Sequence, residues 1–297
     1  MIETTATLRR KIDSAHELQA VVRTMKAMAA SSIGQYEKSV SSLGNYYHAV
    51  ELGLGECFRA TGREPLGMEQ RTPLGTRGVV VFGSDQGLVG RFNDTIADYA
   101  IRLLADLPGQ SEVFAVGERV NARLVAEGLC PVQVFSLPNA VDGIAPLIGE
   151  VLLCSDKHHS QRELGELHLF YNRPAAESGY TPSMLRLLPL DAIWQRQCVE
   201  LPWPPGRLPE IIGHGVSTLR ALIREYLFVS LFRACAESLA SENASRLAAM
   251  QRAEKNIEDL LVDLMGDFHR FRQSVIDEEL FEVISGFEAL SSMPKRQ

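Results

Sequence analysis

Residues 79–94, VVVFGSDQGLVGRFND, place glycines at 83, 87 and 90 between a β-branched apolar run and a helical pattern. This is the layout of a phosphate-cradling turn, in which backbone N–H groups and a helix N-terminus meet an anion. The spacing departs from the known versions. A dinucleotide turn needs G-x-G-x-x-G with an acid about 20 residues on; here the order is G-x-x-x-G-x-x-G. A Walker loop needs G-x-x-x-x-G-K-[ST], but Arg91 and Phe92 follow Gly90. Asp85 inside the loop would repel phosphate unless it held a metal. A tight strand-to-helix turn, with glycines at positive φ, is the favoured reading. The alternative is a nucleotide-binding α/β enzyme using the Gly83–Gly90 loop.

Other reactive side chains are scattered. His158 and His159 are adjacent, with no third ligand in register, so a solvated loop is favoured over a metal site. Ser84–Asp85 lacks a G-x-S-x-G elbow. Cys57, Cys130, Cys154, Cys198 and Cys235 form no CxxC pair, which fits reduced thiols rather than a zinc knuckle or a disulfide framework. No residue is assigned to catalysis, to a cofactor or to a metal. The net charge of −7 argues against nucleic acid as a partner. Charge is uneven: residues 1–40 carry six bases (Arg9, Arg10, Lys11, Arg23, Lys26, Lys38) and four acids (Glu3, Asp13, Glu17, Glu37), a balance of +2. Arg9–Arg10–Lys11 lead into an amphipathic pattern, not the apolar core of a leader. No apolar run reaches about 18 residues, so membrane association is expected only through partners.

The elements that must position the glycine loop follow from periodicity. Leu8, Ile12, Ala15, Leu18, Val22, Met25, Ala29 and Ile33 recur at steps of three and four, which predicts one long helix over 3–58 with these residues on one face. Small residues from Ala27 to Ser32 would let a partner helix approach closely. Residues 60–77 read as a loop. Strands are expected at 78–83, 112–116, 132–135, 166–171 and 184–189, and helices at 93–107, 118–127 and 140–155. That alternation implies a mainly parallel sheet covered on both faces, an α/β domain over 77–190. The prolines of LPWPPGRLPE (201–210) stop regular structure. A helical pattern then spans 210–290, carried by Leu219, Leu222, Tyr226, Val229, Leu247, Met250, Ile257, Leu261, Leu264 and Phe268. At ~1.5 Å per residue, about 80 residues make a rod of roughly 120 Å, which must pack against something. The expected architecture is a Rossmann-like α/β domain (77–190) inserted between an N-terminal helix (1–58) and a C-terminal helix (207–290) that pair as an antiparallel coiled coil.

Three separated segments carry a family resemblance. Gln19-Ala-Val-Val-Arg-Thr-Met-Lys-Ala-Met-Ala-Ala30 resembles Q-K-I-T-K-A-M-K-M-V-A-A. Ser84-Asp-Gln-Gly-Leu-Val-Gly90 resembles S-D-[RK]-G-L-C-G. Ala240-Ser-Glu-Asn-Ala-Ser-Arg-Leu-Ala-Ala-Met250 resembles A-S-E-x-x-x-R-M-x-A-M, and Arg270-Phe-Arg-Gln273 and Glu279–Gly286 resemble R-A-R-Q and E-I-x-E-I-V-x-G. Together, over essentially the whole chain, they look like the gamma subunit of F-type ATP synthases.

The resemblance implies a central rotor shaft without catalytic nucleotide or cofactor. Its implied partners are the hexamer of alpha and beta subunits, the epsilon subunit and the c-subunit ring, at the cytoplasmic face of the plasma (inner) membrane. Arg23, Met25 and Lys26 would face an acidic lever of beta, where exposed ion pairs of about 0–1 kcal/mol can be made and broken during a turn. Asp85, Gln86, Val89 and Arg91 would lie near the same lever. Arg270, Arg272 and Gln273 would meet beta higher on the shaft, the last two at a catch loop, and Glu242 and Arg246 would belong to the lower shaft. A coiled-coil adaptor for an unrelated partner is the other alternative. Gln86 stands where the family has a base, Val22 replaces a threonine, Gly266 a leucine, His269 an asparagine and Asp277 a threonine.

Overall fold

The computed structural model describes residues 4–60, 76–107, 109–162, 166–176, 179–190, 192–205, 209–211 and 215–291. The expected loop over 60–77 falls largely outside them. The chain divides into two compact units, residues 29–247 and residues 1–28 with 248–297.

The larger unit contains the sheet. Its strands are β1 (Arg77–Phe82), β2 (Ser111–Val116), β3 (Gln133–Phe135), β4 (Glu166–Ala175) and β5 (Gly179–Leu188), in the order β3-β2-β1-β4-β5. β1 runs parallel to β2 and β4, and β2 parallel to β3. β5 returns antiparallel along β4. The alternation of side chains along β1 divides the core in two. Val79 and Val81, with Val113, Ala115 and Phe170, pack on helices α2 (Phe92–Ala105) and α3 (Glu118–Ala126). Val80 and Phe82, with Phe114, Leu169 and Tyr171, pack on helix α4 (Ile144–Arg162) and on Leu231, Ala234, Cys235, Ala236, Leu239 and Ala240. Those last residues belong to the C-terminal helix α6 (Gly215–Ser291). The sheet is therefore covered on both faces, one cover being part of the long helix itself.

Several local expectations are corrected. The last two strands are longer than 166–171 and 184–189 and form an antiparallel pair. Pro174 and Pro182 disguise them; Pro182 is tolerated because β5 is an edge strand. Helix α5 (Ala192–Glu200) was not anticipated. Its Trp194 sits edge-on to Phe58 at 6.0 Å and against Tyr226 at 4.7 Å, so it caps the end of the N-terminal helix α1 (Thr5–Ala60). α5 also approaches α1 so closely that a Cβ on Gly55 would lie 2.2 Å from the Cys198 carbonyl. α6 begins at Gly215, since residues 209–211 are not helical.

In both units the two long helices pack antiparallel. In the larger unit the Tyr46 hydroxyl donates to Glu225 at 2.7 Å, Tyr47 and Tyr226 stack at 5.6 Å, and Gly53 abuts Leu222. Ala29, from the run of small residues, is buried.

In the smaller unit Leu8 and Ala15 are buried on α1, and Met250 and Leu261 on α6. Ile12, Val22 and Met25 are half-buried. Leu18 breaks the expected stripe, being 58% exposed. Gln19 takes the inward position, and its amide reaches Glu258 at 3.5 Å. Arg23 and Lys26 both bind Glu254, at 2.9 and 2.5 Å, and Arg23 also reaches Glu258 at 3.6 Å. Residues rising along α1 meet residues falling along α6, which is the antiparallel signature.

Two outcomes follow for this helix pair. Hydrogen bonds from Lys26, then Arg23, hold the Glu254 carboxyl below its ordinary range. A depressed carboxyl stabilises the fold above its unfolded pKa, and the contribution fades as pH falls through the folded value. Glu254→Gln should lower the melting temperature at neutral pH, and the gap to the parent should narrow in acid, below the ordinary carboxylate range. Circular dichroism melts at the two pH values check this; a gap that persists in acid would rule out the charge as its source. Gly266 lies within α6, and a Cβ there meets nothing within 4 Å. Gly266→Ala should therefore stabilise the helix by roughly 0.5–1 kcal/mol, read as a higher denaturation midpoint.

Candidate functional site

The glycine turn links β1 to α2 at the carboxyl end of the sheet. Strand order reverses beside β1, where open α/β sheets commonly carry a crevice. The three glycines have different tasks. A Cβ on Gly83 would lie 2.2 Å from the Val120 Cβ, so close packing of α3 on the turn demands glycine there. Gly90 has φ 58°. Gly87 has neither constraint, its nearest contact being the Arg119 side chain at 3.7 Å. The remaining left-handed position is taken by Leu88, at φ 63° and 62% exposed. A bulky non-glycine residue in that conformation is strained. The expectation that the glycines supply positive φ thus holds for Gly90 alone, and Leu88 does the rest.

Ser84 and Asp85 of the turn bond inward. The Ser84 amide donates to Asn93 Oδ1 at 2.9 Å, Asn93 Nδ2 donates to Ser84 Oγ at 2.8 Å, and Ser84 Oγ donates to the Gln86 carbonyl at 2.8 Å. Asp85 Oδ1 accepts the Glu118 amide at 3.0 Å, and Oδ2 accepts the Leu137 amide at 2.8 Å. Glu118 opens α3, so Asp85 both caps that helix and neutralises its N-terminal dipole. The carboxylate that repels phosphate on paper is occupied with backbone. Gly117, just before α3, is at φ 117°, and a Cβ there would lie 2.8 Å from the Ser84 carbonyl oxygen.

Outside the turn lies an open groove of about 540 Å³, lined by Gly87 to Gly90, Asn93, Asp94, Arg119 and Arg123. Arg123 is held by Asp94 at 3.2 Å, Asp98 at 3.1 Å and Glu127 at 2.9 Å. One of the two arginines in the groove is therefore committed to acids, and Asp94 lines the groove beside it, a poor match to a phosphate.

Of the residues expected near a lever, Gln86 and Arg91 are exposed, Asp85 is half-buried and Val89 is buried. Val89 faces inward, and its carbonyl accepts a hydrogen bond from Ser245 Oγ on α6 at 2.6 Å. Glu242 and Arg246 flank that serine and form a buried ion pair at 2.5 Å, with Arg246 Nη1 also on Asn243 Oδ1 at 3.2 Å. Burial pushes the Glu242 carboxyl above its ordinary range, Arg246 opposes the shift, and the nearby Asp85 charge adds to it. Ser245 was not singled out in sequence; its signal was only its place inside the A-S-E-x-x-x-R segment.

In the smaller unit Arg23 and Lys26 meet Glu254 and are joined by half-buried Met25. Arg270 pairs with Asp267 at 2.5 Å, while Arg272 and Gln273 are exposed. His158 and His159 fall in α4, not a loop, and their side chains lie outside the described residues. Among the described residues no group of three metal-ligating side chains converges, and no helix is long and apolar enough to cross a membrane.

The chain was compared with known proteins. The sequence profile of the ATP synthase family, described as "ATP synthase", matches residues 4–290. The ATP synthase gamma chain of Roseiflexus castenholzii is 28% identical, over 97% of this chain and 99% of its own length. That of Anaeromyxobacter sp. (strain Fw109-5) is 26% identical, over 95% and 98%. Among solved structures the fold is similar to the rotor of Euglena gracilis mitochondrial ATP synthase, at TM-score 0.59 and 16% identity over 92% of this chain and 98% of that one. It is similar also to the central stalk and c-ring structure of Tetrahymena thermophila mitochondrial ATP synthase, at 0.55 and 20% over 78% and 99%. A match running through both long helices and the sheet between them, at nearly full length on either side, establishes that the chain belongs to the ATP synthase gamma chain family.

Proposed function

We propose that the chain is the central rotor-stalk subunit of an F-type ATP synthase, carrying torque between an ion-driven c ring and a catalytic hexamer of alpha and beta subunits. The observation that carries this reading is the full-length family match across residues 4–290. In this role the helices over 1–58 and 207–290 act as one shaft, and 77–190 is the domain that meets the epsilon subunit and the ring. Catalysis belongs to beta; the shaft works by presenting a different face to each beta subunit in turn. Membrane attachment comes through the partners, at the cytoplasmic face of the plasma membrane.

The chemistry of the shaft suits the role. Leu280, Phe281, Val283 and Ile284 are 57, 70, 72 and 46% exposed near the end of α6. A cluster of large apolar residues left in water calls for a cover, which an apolar sleeve would supply. Arg272 and Gln273 lie two turns before it and are free to reach a partner carboxylate, for which a guanidinium is the better fork. At the lever level Arg23 and Lys26 already share Glu254. A partner acid there must compete with an internal one, which keeps that contact weak and reversible.

Co-expression with alpha and beta subunits tests the reading: a stable complex with ATPase activity is expected, and its failure to form would overturn it. Within that complex, replacing Arg272 and Gln273 together by alanine should lower turnover by roughly tenfold, the worth of one or two charge-assisted hydrogen bonds. Unchanged turnover and ion pumping would remove the catch-loop contact from the proposal.

A further inference from the structure

We infer that Ser245 is a positioning residue, the buckle that ties the glycine turn to α6 so that the inserted domain and the helix turn as one body. The inference rests on the rotor reading above. The turn is strained at Leu88, a non-glycine residue at φ 63°. Such a conformation persists only where its surroundings over-determine it. Most of its polar ties end inside the α/β domain: Ser84 with Asn93, and Asp85 with the Glu118 and Leu137 amides. They stiffen the turn and leave it unattached to the helix. The bond from Ser245 Oγ to the Val89 carbonyl, at 2.6 Å, spans 156 residues of sequence and joins turn to helix. Val89 is fixed twice, since its side chain is 2% exposed and its carbonyl also accepts the Phe92 amide that opens α2, at 3.3 Å.

The surroundings make this attachment directional. Ser245 lies between Glu242 and Arg246, whose ion pair is buried at 7 and 12% side-chain exposure. The pair holds that side of α6 in one rotameric arrangement, and breaking either partner would strand a buried charge. Apolar packing of the sheet on α6 resists separation of the two. A hydrogen bond has an angular optimum, so it resists the tangential displacement that torque imposes.

The test uses the assembled complex with Ser245→Ala and Ser245→Thr. The alanine variant should lose ion pumping per ATP hydrolysed, and threonine, which keeps the hydroxyl, should restore it. Amide exchange of the peptide covering residues 84–95 should quicken about fivefold in the alanine variant, as expected for one lost hydrogen bond, and not in the threonine variant. If the alanine variant does not assemble, Ser245→Val, the isostere of the threonine variant without its hydroxyl, is measured in its place. Unchanged coupling in the alanine or valine variant overturns the buckle even if exchange quickens, because a merely structural bond would alter exchange alone. A parent complex that does not assemble with alpha and beta would instead overturn the rotor reading.

Discussion

The larger unit depends on ten residues of α6, Ala234 to Asn243, all of them buried. A helix is usually amphipathic, with one stripe inward. Here α6 is enclosed on every side, with the sheet and α4 on one flank and Tyr36 of α1 among its neighbours. Enclosure of this kind demands small side chains, and the segment ACAESLASEN supplies them. It also demands that each polar group find a partner within reach. Glu237 takes Arg233 at 2.8 Å, Glu242 takes Arg246 at 2.5 Å, and Asn243 Nδ2 returns to the Leu239 carbonyl at 2.8 Å. Each of these partners lies four residues away on the same helix, so the segment satisfies part of its polarity itself, while the Ser238 and Ser241 hydroxyls are buried without a hydrogen bond among the described residues and Arg173 of β4 approaches Glu237 at 3.7 Å.

That partial self-sufficiency shapes the turn above it. A sheet lying on such a helix can come close, because alanine and serine leave no bulk between them. The turn that follows β1 is thereby brought within hydrogen-bonding reach of Ser245, through the Val89 carbonyl. The crevice position that other α/β proteins use for a ligand is filled from below by the helix and from within by Asp85, whose two oxygens hold α3 and Leu137. The same topology can therefore serve mechanics in place of chemistry: the Ser84, Phe92 and Glu118 amides at this end of the sheet are committed to bonds that hold the domain together.

Sequence patterns made the long helices and the buried strands readable because these obey single periods. Every apolar position expected on α6 from Leu219 to Phe268 is buried or half-buried. The errors sit where two rules compete. Leu18 obeys the helical period, but the pairing of Gln19 with Glu258 turns it outward. Pro182 reads as a strand breaker, and only its place on an edge makes it harmless. α5 is short, and what identifies it is tertiary: Trp194 wedged against Phe58 and Tyr226. Of the turn, its rigidity was legible and its mechanism was not. No local rule places Leu88 in a left-handed conformation, or gives Asp85 amides 33 and 52 residues away.

The cations of α1 show how an internal ion pair can leave an outward charge. Arg23 is 56% exposed at its side chain and Lys26 36%, while Glu254, which binds both, is 15% exposed. The acid is the sheltered member and the bases keep an outward face. Two cations on one carboxylate leave an excess of positive charge, reduced further where Glu258 approaches Arg23 at 3.6 Å. A bare pair of bases would attract any acidic surface strongly and over a long range. A pair anchored to Glu254 offers instead a small residual charge in a fixed place, screened within about 8–10 Å at ordinary salt. In the rotor role proposed above, a shaft passing several equivalent acidic surfaces would need contacts that are specific in position and shallow in energy, and an internal counter-ion is one way to supply both properties in one side chain.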